Sequence, residues 1–152
     1  MKLKSAFYSS ALALALAAGV QAASPASKTV VISAFDTMKY SVNKIEAHPG
    51  EKLTVELKNE GNLPKEAMGH NWILLKAGVD PLAYSTAAIT AKAENYQPRS
   101  QADKVVASIR ILGPKESGKV TFTVPSAPGT YAYVCSFPAH CQAGMKGVLV
   151  VK

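Results

Sequence analysis

Short runs of apolar residues, many of them alternating with polar residues, recur along residues 29–151 of the chain. These runs are rich in Val, Ile and Thr, and clusters of Gly, Pro and Asn separate them, which is typical of β-strands divided by turns. Because helices do not alternate regularly with them, the pattern predicts an all-β fold, an antiparallel β-sandwich. The predicted strands cover residues 29–34, 40–47, 52–58, 71–76, 105–112, 118–124, 129–135 and 147–151.

The segment 81–95 departs from the strand pattern. Leu82 and several alanines are spread among polar residues there, and Asp80 and Pro81 stand before them. Asp is a favoured N-cap residue, and Pro is favoured at the first position of a helix. We therefore predict a short helix or flap that begins near Asp80 and packs outside the sandwich.

The first 22 residues have the pattern of a secretory signal peptide. Lys2 and Lys4 precede an apolar run over residues 11–20, and residues 20–22 form a small-x-small cleavage signal. A membrane-spanning helix needs about 20 apolar residues, more than this run contains. We predict cleavage after Ala22, a single mature domain over residues 23–152, export to the periplasm and no membrane insertion.

The charge of the chain argues against nucleic-acid binding. The formal net charge is +7, and the predicted leader carries Lys2, Lys4 and no acidic residue, which leaves +5 on residues 23–152. The lysines are scattered along the chain and are not interleaved with aromatic residues, as they are in many nucleic-acid-binding segments. The charge therefore indicates a solvated surface that can steer acidic partners.

The chain contains two cysteines, Cys135 and Cys141. In a secreted protein such a pair is ordinarily interpreted as a disulfide. A bridge that closes so short a loop would add little stability, because the entropy removed from the unfolded chain falls with loop length. A disulfide and a metal site therefore both stay open on the cysteines alone.

The residues around the cysteines favour a metal site. Cys135, His140 and Met145 lie in one loop between two predicted strands. A thiolate, an imidazole and a weakly bound thioether suit copper that cycles between Cu(I) and Cu(II). Met145 also has a simpler interpretation as core packing, since methionine fills irregular gaps well. Cys141 is most simply a buried thiol outside the site.

Such a site requires a second histidine, and the chain offers two further ones. His48 stands before Pro49 and Gly50, where turn formation explains it. His70 directly precedes an apolar strand, and it is the candidate for the remaining ligand.

Four motifs resemble azurin, a cupredoxin. They are Gly61-Asn62-Leu63-Pro64-Lys65, Met68-Gly69-His70-Asn71-Trp72, Cys135-Ser136-Phe137-Pro138-Ala139-His140 and Met145-Lys146-Gly147. The resemblance implies a Greek-key β-sandwich that holds one type 1 copper ion. It also implies the ligands: His70, Cys135 and His140 in a trigonal arrangement, Met145 as a distant axial ligand and the Gly69 carbonyl opposite it.

The ligand loop differs from that of most azurins. Four residues separate His140 from Met145, a spacing similar to that of auracyanin or plastocyanin, whereas azurins usually have three. The resemblance further implies that Asn71 connects the two ligand segments by hydrogen bonds.

The resemblance implies a monomeric periplasmic electron carrier that is not an enzyme. Redox proteins such as c-type cytochromes or reductases would dock transiently near His140, on an apolar patch. The patch residues are Leu63, Met68, Phe137 and Pro138. Two alternatives remain: a copper carrier or scavenger of the cell envelope that uses the same ligands, and a metal-free sandwich with a Cys135–Cys141 bridge.

Overall fold

The computed structural model describes residues 27–152, so the predicted signal peptide lies outside the described residues. The strands are β1 Ser27–Phe35, β2 Lys39–Tyr40, β3 Lys44–Ala47, β4 Lys52–Asn59, β5 His70–Leu75, β6 Val105–Leu112, β7 Ser117–Thr123, β8 Gly129–Val134 and β9 Lys146–Val151. The helices are α1 Lys65–Met68 and α2 Pro81–Ala88, with 3₁₀ turns at Lys92–Glu94 and Arg99–Lys104.

The strands form two sheets that pack as a β-sandwich. One sheet has the order β2-β1-β4-β7, and the other has the order β3-β9-β8-β5-β6. Along β4, buried residues alternate with more exposed ones, as expected of a strand with one face on the core. The all-β sandwich predicted from the sequence is therefore confirmed.

Among residues 27–152, the predicted antiparallel pairing is confirmed for five strand pairs and is wrong for two, which are parallel. β1 runs parallel to β4, and β3 runs parallel to β9. Parallel neighbours need a connection that crosses away from the pair and returns. The chain makes such a crossing between β1 and β4, where β3 lies in the other sheet. Alternation along a strand cannot reveal this connection, since it reports only which face is buried.

The predicted strand 40–47 is two strands in different sheets. Tyr40 pairs with Ala34 in the first sheet, whereas Lys44 pairs with Val148 in the second. The chain changes sheets between these positions, and Ser41 forms a bend there. Because both short strands bury one face on the same core, the alternation continues across the break and hides it.

Every residue of β5 is buried, which explains its continuous apolar run. One face packs into the sandwich, where Trp72 is fully buried against the rings of Phe122 and Tyr133. The other face joins a second apolar cluster that contains Ile73 and Tyr84 of α2. Helix α2 thus covers the outer face of the sheet that carries the first candidate ligand.

The helix prediction is right at its start and too long at its end. Asp80 Oδ1 accepts a hydrogen bond from the Leu82 amide at 2.9 Å, and Pro81 is the first helical residue. The helix ends at Ala88. Helix α1, a single turn, was not predicted from the sequence. Within residues 27–152 no helix is both long and apolar enough to cross a membrane.

Candidate metal centre

Three candidate ligands meet at one end of the sandwich. His70 is the first residue of β5, and Cys135 and His140 belong to the loop between β8 and β9. One ligand atom from each residue lies within 4.8 Å of the other two. The two histidine Nδ1 atoms are 3.2 Å apart, and Cys135 Sγ is 3.4 Å from His140 Nδ1. All three side chains are buried.

The protonation of these groups suits a metal ion. Burial lowers the pKa of His70 and of His140 to about 4, so both imidazoles are neutral near pH 7 and offer lone pairs. Burial raises the pKa of the Cys135 thiol to about 12, so a bound cation has to displace its proton. Two neutral imidazoles and one thiolate, closed off from water, are a donor set that fits copper.

The backbone of Met145 joins the two loop ligands. Its carbonyl accepts a hydrogen bond from the Cys135 amide at 3.0 Å, and its amide donates to the His140 carbonyl at 2.9 Å. The side chain is fully buried in the same apolar cluster as Cys135. Met145 is therefore fixed beside the two candidate ligands of the loop, and its thioether coordination stays a prediction.

The residues between His140 and Met145 form a tight turn. The Ala143 amide donates to the Ala139 carbonyl at 2.9 Å, and the Gly144 amide donates to the Cys141 carbonyl at 3.0 Å. Gly144 has a φ of 96°, a conformation that glycine adopts without a steric penalty. The longer spacing is accommodated in this turn.

Gly69, directly before His70, has no room for a side chain. A Cβ atom there would lie 2.7 Å from the Lys65 carbonyl oxygen and 2.8 Å from Ile111 Cγ1. The close packing explains why glycine stands at this position. Coordination by the Gly69 carbonyl stays a prediction.

Asn71 connects the two ligand segments, as the resemblance implies. Its Oδ1 accepts a hydrogen bond from the Ser136 amide at 2.8 Å, and its Nδ2 donates to Ser136 Oγ at 2.9 Å. The hydroxyl of Ser136 in turn donates to the Tyr96 carbonyl at 2.5 Å. Backbone amides of Asn71 and Phe137 hydrogen-bond the Cys135 sulfur, which opposes the rise in its pKa. Such bonds fix ligand orientation and tune the metal.

Two residues of β2 support the site, and sequence reasoning missed both. The Tyr40 hydroxyl donates to the Asn71 carbonyl. The Lys39 ammonium donates to the Ala143 carbonyl, within the ligand loop, at 2.5 Å. Lys39 and Ala143 are 104 positions apart in sequence, and β2 is only two residues long. No local pattern could therefore have indicated these contacts.

The remaining histidine and cysteine lie outside the cluster. His48 is exposed, and its Nδ1 lies 2.7 Å from the Lys152 carbonyl oxygen. Cys135 and Cys141 are both free thiols, so the structure does not contain the alternative Cys135–Cys141 bridge. Cys141 Sγ is buried and lies 3.6 Å from the Pro81 carbonyl oxygen of α2.

The four residues of the predicted patch differ in exposure, and Phe137 contacts His140. The Phe137 ring packs on the His140 ring with 4.7 Å between centroids. Leu63 is 45% exposed, whereas Met68 and Pro138 are half-buried. Phe137 itself is buried, so its ring shields His140, and Leu63 offers the larger accessible apolar surface.

Residues 27–152 match the family model described as copper binding proteins, plastocyanin/azurin family. The chain belongs to this family. It is a cupredoxin, and copper is the metal that its ligand cluster fits.

Individual relatives agree with this assignment. The chain is 37% identical to azurin of Pseudomonas fluorescens biotype C over 127 residues, which cover 81% of this chain and 97% of that protein. It is 35% identical over 128 residues to auracyanin-B of Chloroflexus aurantiacus, covering 84% of this chain and 53% of that protein. The crystal structure of dithionite-reduced auracyanin from Roseiflexus castenholzii superposes with a TM-score of 0.73 at 33% identity, covering 82% and 96% of the two chains.

Proposed function

We propose that this blue copper electron-transfer protein works in the periplasm and carries single electrons between redox proteins. The observation that supports it is the buried cluster of one thiol and two imidazoles. We propose that His70, Cys135 and His140 would hold the copper ion, with the Met145 thioether and the Gly69 carbonyl as weaker ligands. Bound copper supplies a one-electron Cu(I)/Cu(II) couple at this donor set.

The protein's own residues hold the donor set in one arrangement. Hydrogen bonds between Asn71 and Ser136 connect β5 to the loop, and hydrogen bonds of the Met145 backbone connect Cys135 to His140. These bonds join protein groups, and none of them uses a proposed ligand atom. Fast electron transfer requires little movement of the ligands between the two states, so a site fixed by the fold favours a carrier over a storage protein.

The face around His140 is the proposed docking surface. Phe137 packs on the His140 ring, and Leu63, which we assign to the same face, is an exposed apolar residue. Transient redox encounters use small interfaces, typically below about 1,200 Å². We propose c-type cytochromes or reductases as the partners and a signal peptide over residues 1–22 as the route to the periplasm. In this role the protein binds and transfers electrons and catalyses no reaction of its own.

The absorption spectrum after addition of Cu(II) tests the ligand assignment. We expect an intense visible band from charge transfer between the Cys135 thiolate and copper. The Cys135→Ser variant should lose this band, whereas Cys141→Ser, which removes the other buried thiol, should keep it. A Cys135→Ser variant that stays intensely blue would refute the assignment.

Voltammetry separates electron transfer from the carriage of copper. A carrier of electrons should show a reversible one-electron wave and should retain its copper through repeated cycles. Release of Cu(I) to a mild chelator during the first reduction would favour the copper carrier of the cell envelope instead.

A further inference from the structure

The turn between β1 and β2 lies against the beginning of β5, where His70 stands. Just after this turn, the Tyr40 hydroxyl bonds to the carbonyl of Asn71, the neighbour of His70. Within the turn, Asp36 Oδ2 accepts a hydrogen bond from the Asn62 amide at 2.8 Å. The carboxylate of Asp36 is thus held at the end of the sandwich that carries the ligands.

A second set of contacts leads from Asp36 to His70. The other oxygen of Asp36, Oδ1, lies beside Gly61 and the side chain of Asn59. Asn59 Nδ2 donates to the Leu112 carbonyl at 3.2 Å, and Leu112 pairs with His70 across β5 and β6. These contacts place the carboxylate of Asp36, in the turn between β1 and β2, on the side of the molecule where His70 begins β5.

Each of these two side chains has a buried polar atom without a hydrogen-bond partner among residues 27–152. The atoms are Asp36 Oδ1 and His70 Nε2. His70 Nδ1 faces the Nδ1 atom of His140, so Nε2 is the nitrogen that keeps its proton when Nδ1 binds a metal. Asp36 Oδ1 is an acceptor and His70 Nε2–H is a donor. Burying either one without a partner is unfavourable.

Gly61 leaves space for this carboxylate. A Cβ atom at position 61 would lie 2.1 Å from Asp36 Oδ1 and 2.8 Å from its Cγ. Any side chain at this position would displace the carboxylate from its place. The absence of a side chain at Gly61 therefore permits the arrangement of Asp36.

We propose that Asp36 is a positioning residue for the copper ligand His70, whose Nε2 proton Asp36 Oδ1 receives through one bridging water. Polar groups beyond direct hydrogen-bond distance are commonly bridged in this way. A carboxylate behind a metal-bound imidazole fixes the ring and raises its basicity. Its negative charge also favours Cu(II) over Cu(I). The inference rests on the proposed assignment of His70 as a ligand.

NMR of the ¹⁵N-histidine-labelled Cu(I) protein tests the hydrogen bond, and voltammetry tests the charge. In the wild type we expect a downfield His70 Nε2–H resonance that exchanges slowly with solvent. In Asp36→Asn, the Asn62 amide takes the one remaining acceptor, so the new NH₂ group faces Nε2–H. We expect that resonance to move upfield and exchange faster, and the reduction potential to rise.

Two further variants complete the test. Gly61→Ala displaces the carboxylate but keeps its charge. It should therefore change the His70 resonance while shifting the reduction potential less than Asp36→Asn does. Glu60→Gln removes an exposed carboxylate next to Gly61 and should leave the resonance unchanged. The proposal is overturned if the His70 resonance is the same in Asp36→Asn and Gly61→Ala as in the wild type. If the wild-type protein itself shows no blue band after addition of Cu(II), the proposed function is overturned instead.

Discussion

Asn71→Ala is the change that should weaken the connection between the two ligand segments most directly. It removes two buried hydrogen bonds, of 2.8 and 2.9 Å, and leaves the Ser136 amide without an acceptor. A net hydrogen bond contributes about 1 kcal/mol, and an unsatisfied buried donor costs about 1–3 kcal/mol. Loss of the bond to the Ser136 hydroxyl and the penalty for the unsatisfied Ser136 amide together should lower the free energy of unfolding by about 2–4 kcal/mol.

Urea denaturation of the copper-free protein measures this loss. The metal has to be absent because a ligand that binds only the folded state adds its own stabilisation. Trp72 is the single tryptophan and is fully buried, so its fluorescence reports unfolding. Asn62→Ala is the matched control. It removes an exposed side chain and keeps the backbone amide that bonds to Asp36, so its effect should stay within about 0.5 kcal/mol.

A double-mutant cycle with Ser136→Ala isolates the side-chain bond. That variant removes the hydroxyl but keeps the Ser136 amide bonded to Asn71. Residues in contact show coupling of roughly 0.5–3 kcal/mol, and we expect about 1 kcal/mol for this pair. Additive effects, or an Asn71→Ala loss no larger than that of Asn62→Ala, would refute the idea that Asn71 holds the segments together.

Three other outcomes follow from the site. Met145→Leu should keep its copper and raise the reduction potential, measured by voltammetry, because a weak axial thioether tunes the metal more than it holds it; an unchanged potential would mean that Met145 is not axial. Lys39→Met should alter the electron paramagnetic resonance spectrum of the Cu(II) protein by freeing the Ala143 carbonyl, and Lys146→Met, which removes an exposed lysine next to Met145, should not. The copper-free protein should lose stability as the pH falls from about 6.5 to about 4. The imidazoles of the unfolded chain bind protons in this range, whereas buried His70 and His140 do not. A urea midpoint that is the same at both ends of this range would contradict the reasoning.

The sequence indicated most strands because each has a buried face and ends at a turn. The run 105–112, for example, coincides with β6. The break between β2 and β3 could not be inferred, because a change of sheet leaves the alternation of apolar and polar residues intact. Parallel pairing was missed for a related reason. It depends on how the chain crosses between sheets, which periodicity does not record.

The ligands were easier to predict than the groups that support them. Cys135, His140 and Met145 lie within one loop, and the chemistry of their side chains indicates them as candidate ligands. Lys39 and Tyr40, and Asp36 in its proposed role, come from a hairpin far away in sequence, and none belongs to a recognisable ligand motif. Their contribution depends on where the hairpin packs, so only the three-dimensional arrangement reveals it.

The ligand loop closes on itself at Met145, and this has a consequence for how such proteins diverge. Because backbone bonds join Met145 to both Cys135 and His140, the turn over residues 141–144 can lengthen or shorten without pulling on the strands. A turn of a different length could therefore connect the same two residues. We expect a longer or shorter turn to alter the side of the candidate site where Met145 lies, while β5 and His70 keep their positions.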